Sequence, residues 1–282
     1  MSASEADFQI CSMLKNILTN GVEIETRNSK VKRLTNLVAT FNTTPLISIR
    51  KTAWKSALLE MEWFLSGSSN INDLDPKVHS WWKPWTNAEG EIPNSYSKQF
   101  RKYNHGYVCD FFHVNPGIDQ IKILIDGLNK SPYSRRNVIT TWQTEDMISP
   151  ITSITNCHGT VIQAFVSPGD KLSLTMYQRS ADMILGLPHN WIQYWAFLLY
   201  LAKQTDKVPE SFTWIGGDCH IYENAFDVAK EMYTKLNTII SHEDKAPELV
   251  YSGVKGDAFK ASDFTLSSEY KPLILTSPTM VV

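Results

Sequence analysis

The chain has 282 residues, of which 43% are hydrophobic and 11% aromatic, enough apolar material to bury a sizeable core. Its formal charge of -2 at pH 7 gives no electrostatic case for binding nucleic acid or a membrane surface. The four cysteines are scattered without metal-type spacing, the longest apolar run (191–202) is too short for a bilayer, and no basic leader precedes an apolar stretch; a reduced, cytoplasmic globule is expected.

Residues 6–19 place Phe8, Cys11, Leu14, Ile17 and Leu18 on one helical face, and Asn20-Gly21 supply a stop. The polar, cation-rich segment 25–33 reads as a solvated loop, or as one that presents Arg27 to an anion. Residues 34–49 alternate and are β-branched, which predicts strands. Residues 52–66 form a helix with a broad apolar face that ends at Gly67-Ser-Ser-Asn70. On it Glu60 and Glu62 lie two apart and so point in different directions. A carboxylate buried among Leu59, Met61 and Trp63 would have its pKa raised, as proton transfer requires, whereas a surface glutamate is the commoner case. Residues 79–87 hold three of the nine tryptophans in one Pro-broken segment, which suits either simple packing or the lining of a flat-ring site. Residues 88–113, with Tyr96, read as a loop.

The periodicity predicts a helix over 116–130 with Pro116 near its start, then a strand over 138–142. Between them Arg135 and Arg136 make a fork pair suited to phosphate, or a surface pair answering acidic neighbours. A lone Cys157 is ordinarily a small buried residue; with cations around it, the thiol becomes a nucleophile. Strands at about 160–167 and 171–177 flank the turn Pro168-Gly169-Asp170. The stretch Tyr177-Gln-Arg-Ser-Ala-Asp-Met-Ile-Leu-Gly-Leu-Pro-His-Asn190 mixes a cation, a hydroxyl, a carboxylate and an amide, a set suited to an anionic ligand carrying a polar ring. A buried helix over 191–204, a strand over 212–215 and a helix over 224–240 follow, with His220 and Tyr222 near the start of that last helix. No repeat or linker divides the chain. Residues 1–282 are therefore expected to be a single α+β domain, a large mixed β-sheet flanked by helices.

Six motifs now stand in order: Glu60-Met-Glu-Trp-Phe-Leu-Ser-Gly-Ser-Ser-Asn70, Ser134-Arg-Arg136, Cys157-His158, Tyr177-Gln-Arg-Ser180, Gly186-Leu-Pro-His-Asn190 and Gly216-Gly-Asp-Cys-His-Ile-Tyr222. Together they resemble the thymidylate synthase family, which includes the phage pyrimidine-nucleotide hydroxymethylases. The resemblance implies that fold and a folate-dependent transfer of a one-carbon unit to C5 of a pyrimidine deoxynucleotide. It makes Cys157 the nucleophile at C6 and Glu60 the acid/base group, with His158 and Tyr96 near the reacting base. It assigns phosphate to Arg27, Arg179 and Ser180, and to Arg135 and Arg136 lent across a homodimer interface. Gln178 falls within the substrate motif, and His220 and Tyr222 match groups on the deoxyribose hydroxyl. Trp82, Trp85, Asp182 and Gly186 fall to the folate, 5,10-methylenetetrahydrofolate being the co-substrate with no metal. No membrane or nucleic-acid partner is implied. A phage-encoded chain would work in its host's cytoplasm.

An amide at Asn190 suits uracil, where the dCMP-directed relatives carry aspartate, so dUMP is the expected substrate. Departures from ordinary thymidylate synthases include Asn28-Ser-Lys-Val31, Ser97, Asn156 and His189. Because Ser97, Asn156 and His189 are polar, the pocket is expected to order water and the product to be 5-hydroxymethyl-dUMP. Thymidylate synthase is the alternative, followed by a dCMP-directed enzyme and a catalytically silent nucleotide- or RNA-binding homologue.

Overall fold

In a computed structural model the structure describes residues 3–26, 29–105, 116–148, 154–236 and 246–281. Six strands form one sheet in the order β1 (Val22–Glu25), β2 (Lys30–Phe41), β6 (Val208–Tyr222), β5 (Lys171–Asp182), β4 (Val161–Ser167), β3 (Val138–Ile139). Neighbours are antiparallel except β5 and β6, which run parallel. Parallel neighbours need a crossover, supplied by helix α6 (Gly186–Gln204). Strands β7 (Leu249–Tyr251) and β8 (Phe264–Leu266) pair separately. The mixed α+β architecture is as expected.

Alternation on the strands sorts the sheet into two faces. One face carries Ile162, Ala164, Leu174, Met176, Phe212, Trp214 and Phe41 into the core, against α6 and, behind it, α2 (Trp54–Ser66). Helix α6 is buried nearly all round, as its apolar sequence requires. α2 ends where Gly67 takes the left-handed conformation, φ 84°, a position that favours glycine. The other sheet face leaves Val38, Val138, Val161 and Phe165 exposed.

Several boundaries differ from expectation. Helix α1 (Glu5–Asn20) is as predicted and opens on a capping box between Ser4 and Asp7. Residues 42–49 form no strand; instead, the backbone N–H groups of Ser48 and Ile49 donate to the Asp7 carboxylate (2.7 and 2.8 Å). The Trp-rich segment coils into α3 (His79–Trp82) and a 3-10 turn, Lys83–Trp85. A short helix, α4 (Tyr96–Arg101), stands inside the expected loop. Helix α5 (Gln120–Lys130) starts at the Asp119 cap, not at Pro116. β6 is far longer than 212–215 and carries His220 and Tyr222 on its last turn-ward residues; a 3-10 turn follows, then α7 (Phe226–Lys235). No helix among the described residues is long and apolar enough to cross a membrane.

Candidate active site

Because β5 and β6 are parallel, their carboxyl ends emerge together, with Ser180 opposite Asp218 and Asp182 opposite His220. The amino-terminal turns of α6 begin at the same place. Clefts at the carboxyl ends of parallel strands are where ligands bind in open sheets. Here a cavity of about 750 Å³ opens, lined by residues of both strands, α2, α3, α6 and the carboxy-terminal segment. Three tryptophans, Trp81, Trp82 and Trp85, form much of one wall, and Leu275, Met280 and Val281 add apolar surface.

Cys157 reaches the cavity from the loop before β4. Its backbone is held from both sides: its N–H donates to the Tyr96 hydroxyl (2.7 Å) and its carbonyl accepts from the Arg179 N–H (2.9 Å). The Arg179 guanidinium clamps the same loop through the Asn156 carbonyl (2.9 Å) and Thr155 (2.8 and 3.0 Å), and its Nη2 lies 3.6 Å from Cys157 Sγ. Burial pushes the thiol pKa up, and the Arg179 charge pulls against it. Neighbouring His158 is buried, stacks on Tyr96 with ring centroids 4.3 Å apart, and meets the Tyr194 hydroxyl at 3.0 Å. Burial lowers its pKa to about 3, so it is neutral. Gly159 lets that hydroxyl pass, since a Cβ there would collide with it.

Glu60 stands across the cavity on α2, only 7% exposed. Trp82 Nε1 donates to one of its oxygens (2.5 Å) and Gln193 Nε2 to the other (2.6 Å). Both bonds favour the ionised form, yet burial outweighs them and raises the pKa to about 7. Of the two glutamates, Glu62 faces away and accepts from the Ala261 N–H. Asn190, one turn into α6, accepts from Gln178 Nε2 (3.0 Å) and donates to Gln193 Oε1 (3.1 Å).

The other expected positions divide. Trp85, Gln178, Ser180, Gly186 and Tyr222 all line the cavity. So does Asp182, whose carboxylate also accepts from the Ile184 and Leu185 N–H groups. His220 lines it too, with Nδ1 2.9 Å from Asp218, which Arg33 also engages. Tyr96 and Arg179 stand behind Cys157 and not in the wall. Arg135 and Arg136 are exposed, away from the cavity, just before β3. Arg27 lies outside the described residues, as does Asn28.

The expectation that three polar replacements wet the pocket holds for one of them only. Ser97 is fully buried and donates to the Trp63 carbonyl (3.3 Å), and Asn156 turns its amide to the Thr141 carbonyl (3.1 Å). Neither lines the cavity. His189 does, but its Nε2 accepts from the Ala53 N–H (3.2 Å), its ring packs on Trp81, and burial lowers its pKa to about 4. Backbone groups therefore take up the Ser97 hydroxyl, the Asn156 NH2 and His189 Nε2, while Asn156 Oδ1 is buried without a partner among the described residues.

Three contributors were not anticipated. Gln193 is wholly buried; the signal was an amide three residues beyond Asn190, set among apolar neighbours in α6. Arg50, 1% exposed, binds the Ile184 carbonyl and Ser277 Oγ, so it ties the carboxy-terminal segment over the cavity. Trp81 belongs to the segment suited to a flat-ring lining but carries no role of its own in the sequence motifs; it lines the cavity and packs on His189. Among the described residues no cluster of His, Cys, Asp or Glu is arranged to hold a metal ion.

A thiol beside a guanidinium, a carboxylic acid poised near neutrality and a base-sized amide reader in one cleft are the equipment of an enzyme that combines covalent and acid–base catalysis. The thymidylate synthase family model matches residues 9–281. A thymidylate synthase from Corynebacterium aurimucosum is 34% identical over 200 residues, covering 71% of this chain and 69% of the relative. The chain belongs to the thymidylate synthase family, whose reaction is folate-dependent transfer of a one-carbon unit to C5 of a pyrimidine deoxynucleotide, with 5,10-methylenetetrahydrofolate as co-substrate. The tryptophan wall and the apolar carboxy-terminal segment fit the flat rings of such a folate.

Proposed function

We propose that the protein acts on dUMP, with Cys157 as nucleophile and Glu60 as the acid/base group. The observation that carries this reading is that Cys157, Glu60 and Asn190 line one cavity. The Cys157 thiol gives up its proton and the sulfur adds to C6 of the ring, with Arg179 favouring the thiolate against its burial. Addition moves electron density toward C5 and O4. Asn190 then donates to O4 and accepts from N3–H. The folate supplies an electrophilic one-carbon unit, which C5 attacks. Glu60, near neutrality, takes up and returns protons at the base. Loss of the C5 proton and cleavage of the bond between the one-carbon unit and the folate nitrogen leave an exocyclic methylene at C5. Hydride from the tetrahydrofolate so formed turns it into methyl as Cys157 is expelled from C6, which restores the ring and leaves dihydrofolate.

Ser180 and Arg179 serve the phosphate; Arg179 Nη1 takes part in none of the bonds that clamp the loop. Arg135 and Arg136 are exposed and would serve a second subunit's phosphate site. The exposed Val38, Val138, Val161 and Phe165, which stand among Thr40, Thr175 and Gln163 on the outer sheet face, support a homodimer of that kind.

For the product, the geometry favours a methyl group over hydroxymethyl. Ser97 and Asn156 face away, His189 is neutral and bonded, and the side of the cavity built by Trp81, Trp82, Trp85, Leu275, Met280 and Val281 is aromatic and aliphatic. A dry wall favours hydride transfer over attack by water. The hydroxymethyl reading keeps one observation, namely that His189 and Ser80 both line the cavity.

One experiment tests all of this. The protein is incubated with C5-tritiated dUMP or dCMP and methylenetetrahydrofolate, and tritium release, product mass and dihydrofolate absorbance are followed. Thymidylate with matching dihydrofolate is expected from dUMP. Hydroxymethyl-dUMP without dihydrofolate would replace the methyl reading. No tritium release from either nucleotide would leave the silent homologue. Cys157→Ala is expected to abolish release.

A further inference from the structure

We infer that Gln193, which does not line the cavity, sets the base specificity of the site by locking the Asn190 amide in the uracil-reading sense and joining it to Glu60. The inference rests on the function proposed above and deepens it, because it moves selectivity from the reader to the residues behind it.

An asparagine alone does not distinguish uracil from cytosine. Rotated by half a turn, its amide exchanges donor and acceptor and matches the other base. Specificity therefore requires that the amide cannot rotate. In this protein both of its ends are determined by groups with no freedom of their own. The Trp214 indole N–H, which can only donate, bonds Gln178 Oε1 (2.9 Å), and the Ser180 carbonyl, which can only accept, takes Gln178 Nε2 (3.0 Å). Gln178 must then offer its NH2 to Asn190 Oδ1. At the other end, the Ala57 carbonyl accepts from Gln193 Nε2 (3.0 Å), which leaves Gln193 Oε1 to accept from Asn190 Nδ2.

Asn190 keeps one lone pair and one N–H for the pocket. In this orientation they match N3–H and O4 of uracil and oppose N3 and N4–H2 of cytosine. Turning the amide for cytosine would set donor against donor at Gln178 and acceptor against acceptor at Gln193, in a buried place where unmatched polar pairs are costly. The second amide hydrogen of Gln193 binds Glu60 Oε2. One side chain thus holds both the reader and the acid/base group. Gln193 is 0% exposed, so water does not reach its own amide.

The test compares the wild-type protein with Gln193→Met and Gln193→Glu, measuring kcat/KM for tritium release from dUMP and dCMP across pH. Gln193→Met removes the Gln193 end of the lock, leaving only the Gln178 end, without opening a void. Its dUMP-to-dCMP ratio is expected to fall roughly tenfold or more. Its acid limb is expected to move to higher pH, because a bond favouring ionised Glu60 is lost. Damage to packing alone would lower both nucleotides together and leave the ratio and the limb in place. Gln193→Glu still accepts from Asn190, so its ratio is expected to stay near wild type while the added carboxylate raises the acid limb by about one pH unit or more. If Gln193→Met does not fold, the acid limb of Gln193→Glu decides, and an unmoved limb overturns the inference. An active wild type with the ratio and limb unchanged in both variants overturns it as well and leaves the function standing. A wild type that releases tritium from neither nucleotide overturns the function, and the inference with it.

Discussion

At the scale of the residue, Glu60 and Glu62 show how burial decides chemistry. They are two positions apart on one helix and chemically identical, yet only Glu60 is enclosed by Trp82 and Gln193. Raising its pKa from 4.5 to about 7 has a thermodynamic consequence. Between those values the folded chain holds a proton that the unfolded chain has released. Proton binding by the folded form then makes this group's contribution fall as pH rises from 4.5 to about 7, by roughly 3 kcal/mol in all. Glu60→Gln cannot titrate. Denaturant unfolding at pH 5 and pH 8 is expected to show a larger loss of stability on going to pH 8 for wild type than for the variant; parallel losses would place the carboxyl's pKa near the ordinary value. The same variant is expected to reduce kcat by roughly 10²–10⁴-fold and to erase the limb near pH 7 in tritium release.

At the scale of the element, Asp7 on α1 carries out a comparable task for the fold. Its carboxylate, wholly buried, accepts from the Ser4 N–H (2.8 Å) and Ser4 hydroxyl (3.0 Å) at the helix start, and from Ser48 and Ile49 on a distant segment. Asp7→Ala strands these donors and is expected to cost about 3 kcal/mol or more, read as a lower denaturation midpoint with an unchanged denaturant slope. Nothing near residues 42–49 announces this arrangement, and their alternation reads as a strand because the partner that replaces a ladder lies about forty positions earlier. Elements whose stability comes from one apolar stripe, α1, α2 and α5, were legible from spacing. The length of β6 was not, because polar residues from Gly216 onward stay extended through pairing with β2 and β5. The site divides in the same way. Cys157, Glu60 and Asn190 stand in contiguous motifs, whereas Gln193, Arg50 and Trp81 act by holding other groups and leave no local pattern. The polarity of Ser97, Asn156 and His189 was legible; the backbone groups that bind the Ser97 hydroxyl, the Asn156 NH2 and His189 Nε2 were not.

At the scale of the whole molecule, the proposed dimer joins two features that a single chain leaves unexplained. Val38, Val138, Val161 and Phe165 share the outward face of the sheet by cross-strand register, and each is more than a third exposed. Arg135 and Arg136 open the strand at one edge of that face and do not reach their own cavity. If the face is covered by a second copy, each cavity takes its arginines from the neighbour. Two inactive proteins then make an active mixture. One carries Cys157→Ala; the other carries Arg135→Ala with Arg136→Ala. In a mixed dimer, one site lacks both its thiol and its partner's arginines, while the other has both. Random exchange of equal amounts makes about half the dimers mixed, and about a quarter of all sites intact. Mixing and subunit exchange should therefore restore about one quarter of wild-type tritium release. Arginines that serve their own cavity would give no recovery at any mixing ratio. Phe165→Lys on the outer face should block the recovery by weakening the dimer, seen as a smaller species by analytical ultracentrifugation, because a charge buried without a partner opposes association.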